Sequence, residues 1–162
     1  MNLIYRRLSP SESFAYREVR LESLRLFPDA FEAIFSEEKK NTELMFESLI
    51  KQQDKSNFVV GAFEGTSLVG ICGFVNRNQY SLERTGTIIQ MYVKKEYRGK
   101  NIGLHLTNKV IEEVRKIPKT NRLVLEVKKT NSAAIAVYER AGFRIENIAR
   151  SSELRYMEYL IK

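Results

Sequence analysis

The hydrophobic pattern of the chain opens with a strand, passes through two helical stretches and then turns β-rich. Residues 2–8, NLIYRRL, can form a short strand. Over residues 9–27 the apolar positions Phe14, Val19, Leu21, Leu24 and Leu26 recur at roughly helical spacing. Ser9 is placed to cap this helix, Pro10 suits its first turn and Glu12 completes an S-x-x-E capping box. Pro28 ends it. A second helix is predicted over Thr42–Gln52, with Leu44, Met45, Leu49 and Ile50 inward. Residues 57–65 and 67–76 are β-rich runs joined through EGTS, a hairpin signal. Residues 84–93, RTGTIIQMYV, form a third strand of this group. Alternation gives it the faces Ile89/Met91/Val93 and Ile88/Gln90/Tyr92; both are largely apolar, so the strand is expected in mid-sheet, covered on both sides. A helix follows over 102–116, with Leu106, Val110, Ile111 and Val114 on one stripe and Pro118 as its stop. Residues 122–129, RLVLEVKK, read as a strand, and 131–142 as a helix closed by Gly142. Residues 143–149 and 153–161 are two final strands.

The resulting order, β-α-α-β-β-β-α-β-α-β-β, contains one βαβ unit: 86–93, 102–116 and 122–128. Its two strands must be parallel and its crossover right-handed, while the hairpins on either side are antiparallel. The expected class is α/β of the α+β kind. A mixed central sheet of about seven strands is flanked by about four helices in one domain over residues 1–162.

Composition adjusts this picture only slightly. A hydrophobic content of 43% and a charged content of 29% fit an ordinary globular protein. The single cysteine, Cys72, excludes an internal disulfide and sits in an apolar run as a small core residue. One Cys and one His cannot supply a zinc site, so no metal is expected. The formal net charge of +7 suits an anionic ligand. The basic residues are spread among Glu with no Lys/Arg block or recognition motif, so no nucleic-acid partner is expected. No apolar run approaches the roughly 18 residues of a membrane span. The N-terminus lacks the features of a signal peptide. The expected location is cytoplasmic, without a membrane partner.

The chemistry concentrates in EYRGKNIGLHL, residues 96–106, between the predicted central strand and the crossover helix. A helix N-terminus presents unpaired N–H groups and the positive end of its dipole, a ready site for a pyrophosphate. Arg98 and Lys100 add charge there, and Gly99 lets the backbone come close. The G-K-[ST] ending of a Walker A loop and the G-x-G-x-x-G of a dinucleotide fold are both missing.

The string MYVKKEYRGKNIGLHL, followed by LVLEVKKTNSAAIAVYERAGF, resembles the GNAT superfamily of N-acetyltransferases. The family's pyrophosphate motif, Arg/Gln-x-x-Gly-x-Gly/Ala, here reads Arg98-Gly99-Lys100-Asn101-Ile102-Gly103, with Asn101 at the first Gly position. A second signature, Asn, then a helix bearing a Tyr, then Gly-Phe, is met by Asn131, Tyr138, Gly142 and Phe143. The resemblance covers about residues 57–148 and fits the order of elements. It implies a GNAT fold whose central parallel strands splay apart, and acetyl-CoA as co-substrate. Its pantetheine arm would pair with Met91, Tyr92 and Val93, its pyrophosphate would lie on residues 98–103, and Asn131, otherwise an N-cap, would also touch it.

The implied reaction moves an acetyl group to a primary amine by direct attack in a ternary complex. Tyr138 would be the acid that protonates the departing thiolate, and the Val93 N–H would steady the oxyanion. Many members carry a Glu near the position of Gln90, and Gln cannot act as a base. Glu126 stands on the strand face opposite Leu123, Leu125 and Val127. The stretch Glu126, Asn131, Tyr138 is similar to the branch that acetylates protein N-termini, which implies Glu126 as the base, the other reading being a structural carboxylate. Glu83, Tyr92 and His105 are weaker candidates. Phe27, Phe31, Phe35 and Tyr156 are placed to line an acceptor site or simply to fill the core. The acceptor remains open between a small molecule and a protein amine, and a homodimer is left open. The alternative is a GNAT-like domain that binds acyl-CoA as a sensor or scaffold without turnover.

Overall fold

The computed structural model describes residues 2–76, 84–146 and 151–162. The strands are β1 (Leu3–Arg7), β2 (Phe58–Glu64), β3 (Ser67–Asn76), β4 (Thr85–Val93), β5 (Arg122–Lys128), β6 (Arg144–Ile145) and β7 (Leu154–Leu160). They form one sheet in the order β1-β2-β3-β4-β5-β7-β6. Every pairing is antiparallel except β4 with β5. The crossover between these two is α4 (Ile102–Val114), as the βαβ pattern requires. The other helices are α1 (Ser13–Leu26), the single turn α2 (Phe35–Glu38), α3 (Met45–Lys51) and α5 (Ser132–Ala141).

Two apolar clusters lie on opposite faces of the sheet. One joins α4 and α5 to Val60, Cys72, Phe74, Leu123, Leu125 and Met157. The other joins α1 and α3 to Val59, Phe63, Ile71 and Tyr92. The α4 stripe of Leu106, Val110, Ile111 and Val114 is buried as its spacing predicts. Among the described residues no helix is long and apolar enough to cross a membrane.

Three sequence expectations need correction. The buried side of α1 is Tyr16, Val19, Arg20, Ser23 and Leu24, whereas Phe14 is 66% exposed. Tyr16 and Arg20 bring polar ends to that face, which a search for apolar residues passes over. At α3 Leu44 and Ile50 are buried as expected, but Phe46 is buried in place of Met45, which is exposed. Of the strand expected over 143–149 the described part is Arg144–Ile145, and residues 147–149 lie outside the described residues.

The third correction concerns β4. Gly73 pairs with Ile89 but Ile71 pairs with Tyr92, so Gln90 and Met91 stand opposite the single residue Cys72. This is a β-bulge, and Gln90 takes φ +59 within it. One extra residue exchanges the faces beyond it. Ile88, Met91 and Val93 therefore share the α4/α5 face, and Ile89 and Tyr92 share the α1/α3 face. Before the bulge, Gly86 lets β4 run under Phe74; a Cβ there would meet that ring at 2.2 Å.

The chain enters α1 through a 3-10 turn, Pro10–Glu12, capped by Ser9 with the capping box in place. The Glu12 carboxylate accepts from the Ser9 amide at 2.7 Å and from both terminal nitrogens of Arg6 at 2.8 Å. These donors hold its pKa down, from the ordinary 4.5 to about 2, with the Arg6 hydrogen bond as the leading cause. A carboxyl lowered in this way stabilises the fold above its unfolded pKa and loses that contribution as pH falls through the folded one. The expected outcome is a stability loss between about pH 4.5 and about pH 2 that Glu12→Gln largely removes, read from urea unfolding across that pH range.

Candidate active site

β4 and β5 stay together for only three residue pairs: Thr85 with Arg122, Gly86 with Leu123 and Thr87 with Val124. Past Thr87, β4 runs on to Val93 with no β5 partner, while β5 remains zipped to β7 along its whole length, from Arg122–Leu160 to Lys128–Leu154. The two parallel strands part into a cleft. The Lys94 amide donates to the Val69 carbonyl at 2.9 Å, and Gly70 lies opposite Val93. Antiparallel ladders alternate, so the backbone groups of Val93 turn away from β3, toward the cleft. Tyr92, paired with Ile71, sits in the β3 ladder, so its backbone does not face the cleft as Val93 does.

At the mouth of the cleft the turn before α4 has two left-handed residues, Gly99 at φ +79 and Asn101 at φ +61. The first bond of the helix runs from the His105 amide to the Asn101 carbonyl. The amides of Ile102, Gly103 and Leu104 precede that bond. Together with those of Gly99 and Asn101, they donate to no backbone carbonyl of the described residues. Successive amides in such a turn form an anion-binding concavity. Cations surround it. Arg98 donates through Nε to the Val93 carbonyl at 3.2 Å and stacks over Phe27, 4.4 Å from the ring centre. Lys100 Nζ lies 5.4 Å from the Tyr97 ring centre. Arg140 of α5 donates to Asn101 Oδ1 at 2.9 Å. Sequence reading passed over Arg140, because a contact across 39 positions leaves no local signal.

Asn131 caps α5, its side chain accepting from the Ala134 amide at 3.1 Å. Tyr138 is buried in the α4/α5 cluster with Met91 and Val93, its ring edge-on to Phe143. Burial, seconded by Cys72, pushes its phenol pKa upward, so the hydroxyl keeps its proton.

Glu126 lies on β5 past the point of parting, across from Tyr156 of β7. The residue is exposed, so its mid-strand position does not bury it, and its carboxylate makes no hydrogen bond or ion pair with a described residue. Leu125 and Val127 pack into the α4/α5 cluster, which puts Glu126 on the other face, that of α1 and α3. Gln90 is on that face too; its Oε1 accepts from the Tyr16 hydroxyl at 2.6 Å.

The weaker candidates are placed elsewhere. His105 packs against Tyr5 of β1, with ring centres 5.2 Å apart. The Tyr92 hydroxyl donates to Glu22 at 2.8 Å, and burial together with that carboxylate raises its pKa, which opposes a base role. Glu83 lies outside the described residues. No group of three or more potential metal ligands occurs among the described residues. Phe35 lines a surface cavity of about 280 Å³ with Glu18, Leu21, Glu22, Arg25 and Lys94. Phe31 instead lies under the Arg20 guanidinium, 4.8 Å from the ring centre.

The sequence model of the acetyltransferase (GNAT) family matches residues 20–143. A search of the curated proteins gives no match. Among solved structures, a GNAT-family acetyltransferase from Streptococcus pneumoniae superposes with a TM-score of 0.80 at 20% identity, covering 99% of this chain and 100% of that one. The PaiA N-acetyltransferase of Thermoplasma acidophilum, solved in complex with coenzyme A, gives 0.76 at 22% identity, with 99% of each chain covered. YncA from Salmonella typhimurium, solved with its cofactor acetyl-CoA, gives 0.77 at 18% identity, covering 100% of this chain and 95% of that one.

The left-handed geometry at Asn101 sets a test of the turn. Asn101→Gly keeps the backbone shape and is expected to keep acetyl-CoA affinity. A β-branched side chain opposes φ +61, so Asn101→Val is expected to weaken binding about tenfold or more, measured by isothermal titration.

Proposed function

Since the chain belongs to the acetyltransferase (GNAT) family, we propose that it transfers the acetyl group of acetyl-CoA to a primary amine by direct attack in a ternary complex. The observation that carries this reading is the parting of β4 and β5 after three residue pairs, directly beside the open amides of the α4 turn. A strand edge without a β5 partner suits an extended arm bearing amides. A cationic turn at a helix N-terminus suits a pyrophosphate. Met91 and Val93 would hold the arm, with Tyr92 between them; Arg98 to Gly103 would hold the phosphates, and Asn131 would stand at the rim.

Acetyl-CoA supplies the acyl group as a thioester. The Val93 N–H, aimed into the cleft, donates to the carbonyl oxygen as negative charge develops there. Tyr138 hands its proton to the departing sulfur; a phenol kept neutral by burial is ready for that task. Glu126 removes a proton from the ammonium of the acceptor, directly or through water. The exposure of Glu126 and its place on the opposite face from Tyr138 support this role, with the amine arriving from the α1/α3 side. Gln90 takes no proton: its amide accepts from Tyr16 and braces the bulge. The scaffold reading, binding without turnover, draws on this same Gln90 and differs in one measurable respect, the release of CoA.

Two experiments test these roles. Tyr138→Phe is expected to lower kcat by about a hundredfold or more while acetyl-CoA affinity, measured by titration, stays within about twofold. Unchanged turnover removes the acid role, and absence of acetyl-CoA binding by the unaltered chain overturns the whole reading. Glu126→Gln is expected to abolish the acidic limb of the kcat/KM profile. A profile identical to that of the unaltered chain clears Glu126 of the base role.

A further inference from the structure

α1 turns two polar ends inward, one helical turn apart. Tyr16 reaches Gln90 in the β4 bulge. Arg20, four residues on, is only 7% exposed, yet its Nη1 is buried and has no hydrogen-bond partner. Among the described residues Arg20 forms no ion pair; its guanidinium lies over the ring of Phe31, in the segment between α1 and α2, 4.8 Å from the ring centre. A buried guanidinium normally has its fork filled by a carboxylate or phosphate. Leaving it unfilled is costly: desolvation by burial lowers its pKa and outweighs the opposing influences of Tyr16 and Glu38.

The arrangement resembles a prepared half of an ion pair. Arg20 sits on the α1/α3 face, the face on which Glu126 and Gln90 stand, and one turn of helix, about 5.4 Å, from the tyrosine that marks the bulge. The geometry points to Arg20 as the residue that reads an oxyanion on the acceptor, so that the amine acetylated belongs to a small molecule that also carries a carboxylate or phosphate group. This rests on the acetyltransferase reading and names its acceptor class. Phe31 supports the guanidinium from one side, and the unpartnered Nη1 is left for the oxyanion. The cavity at Glu18, Glu22 and Lys94 lies on the other side of α1, because residues 18 and 22 are each two positions from 20, about 200° around the helix.

The test uses the full chain with acetyl-CoA and pairs of amines that differ only in the oxyanion: L-amino acids against their carboxamides, and phosphoethanolamine against ethanolamine. CoA release gives kcat/KM. The unaltered chain is expected to favour the charged member of one pair type by on the order of a hundredfold. Arg20→Met is expected to erase that preference through KM while leaving the neutral amine unaffected, and Arg20→Lys to retain part of it. A preference confined to amino acids identifies a carboxylate, and one confined to phosphoethanolamine a phosphate. Equal use of charged and neutral amines by the unaltered chain overturns the inference, as does a preference that survives Arg20→Met. Acetyl-CoA titration of each variant checks that it is folded, and Arg20→Lys alone decides if Arg20→Met is not. If none of these amines is acetylated, thermal shift of the acetyl-CoA-loaded chain by charged and neutral members decides in the same way. Failure to bind acetyl-CoA would instead strike the proposed function.

Discussion

Two parallel strands that begin as neighbours and then separate govern this molecule. β4 and β5 share three residue pairs before parting. Parting is unfavourable, because backbone donors and acceptors lose partners in the middle of a sheet. Two local devices maintain it. The bulge at Gln90 and Met91 bends β4 toward β3, to which it remains bonded. On the other side β7 holds β5 along its whole length, with Arg122 bridging Glu158 at 2.8 Å and Glu146 at 3.0 Å at the joined end. Each strand is thus fastened on its outer edge and open on its inner one.

The same opening connects the two faces of the sheet, which a continuous ladder would keep apart. Tyr138 approaches from the α4/α5 face and Glu126 from the α1/α3 face. The proposed acid and the proposed base thereby stand on opposite faces of the sheet, either side of the opening. Their surroundings differ accordingly. Tyr138 is buried and held neutral, while Glu126 stands in water. The bulge contributes a second time: by exchanging the faces of β4, it turns Met91 and Val93 to the face of the sheet on which Tyr138 lies.

The fold was readable because its signals are local and repeated. The capping box at Ser9, the stripe on α4 and the βαβ order each depend on residues close in sequence, and each is found in the structure. The turn before α4 was readable for the same reason: Asn101 stands where the motif has a glycine, and its backbone is left-handed. The bulge was not, because strict alternation assumes one residue per step, and Gln90 at φ +59 breaks that assumption without a glycine to announce it. Arg140, Tyr16 and Arg20 were missed for a different reason. Each is polar, sits on a helix whose apolar stripe drew the eye, and gains meaning only from a partner, or the lack of one, far along the chain.

Asn101 shows why a departure from a motif can be more than a tolerated substitute. Glycine would reach φ +61 with less strain, but it would also leave the turn more freedom before folding. Asn pays the small steric penalty of the left-handed region and gains a side-chain oxygen. That oxygen accepts from Arg140, so the N-terminus of α4 is tied to α5. The helix that carries Tyr138 and the turn proposed to hold the phosphates are therefore joined at this point, with the Arg140 cation beside the turn. A glycine at this position would keep the shape of the turn and give up only this exposed hydrogen bond, since α4 and α5 also meet in the buried cluster around Tyr138.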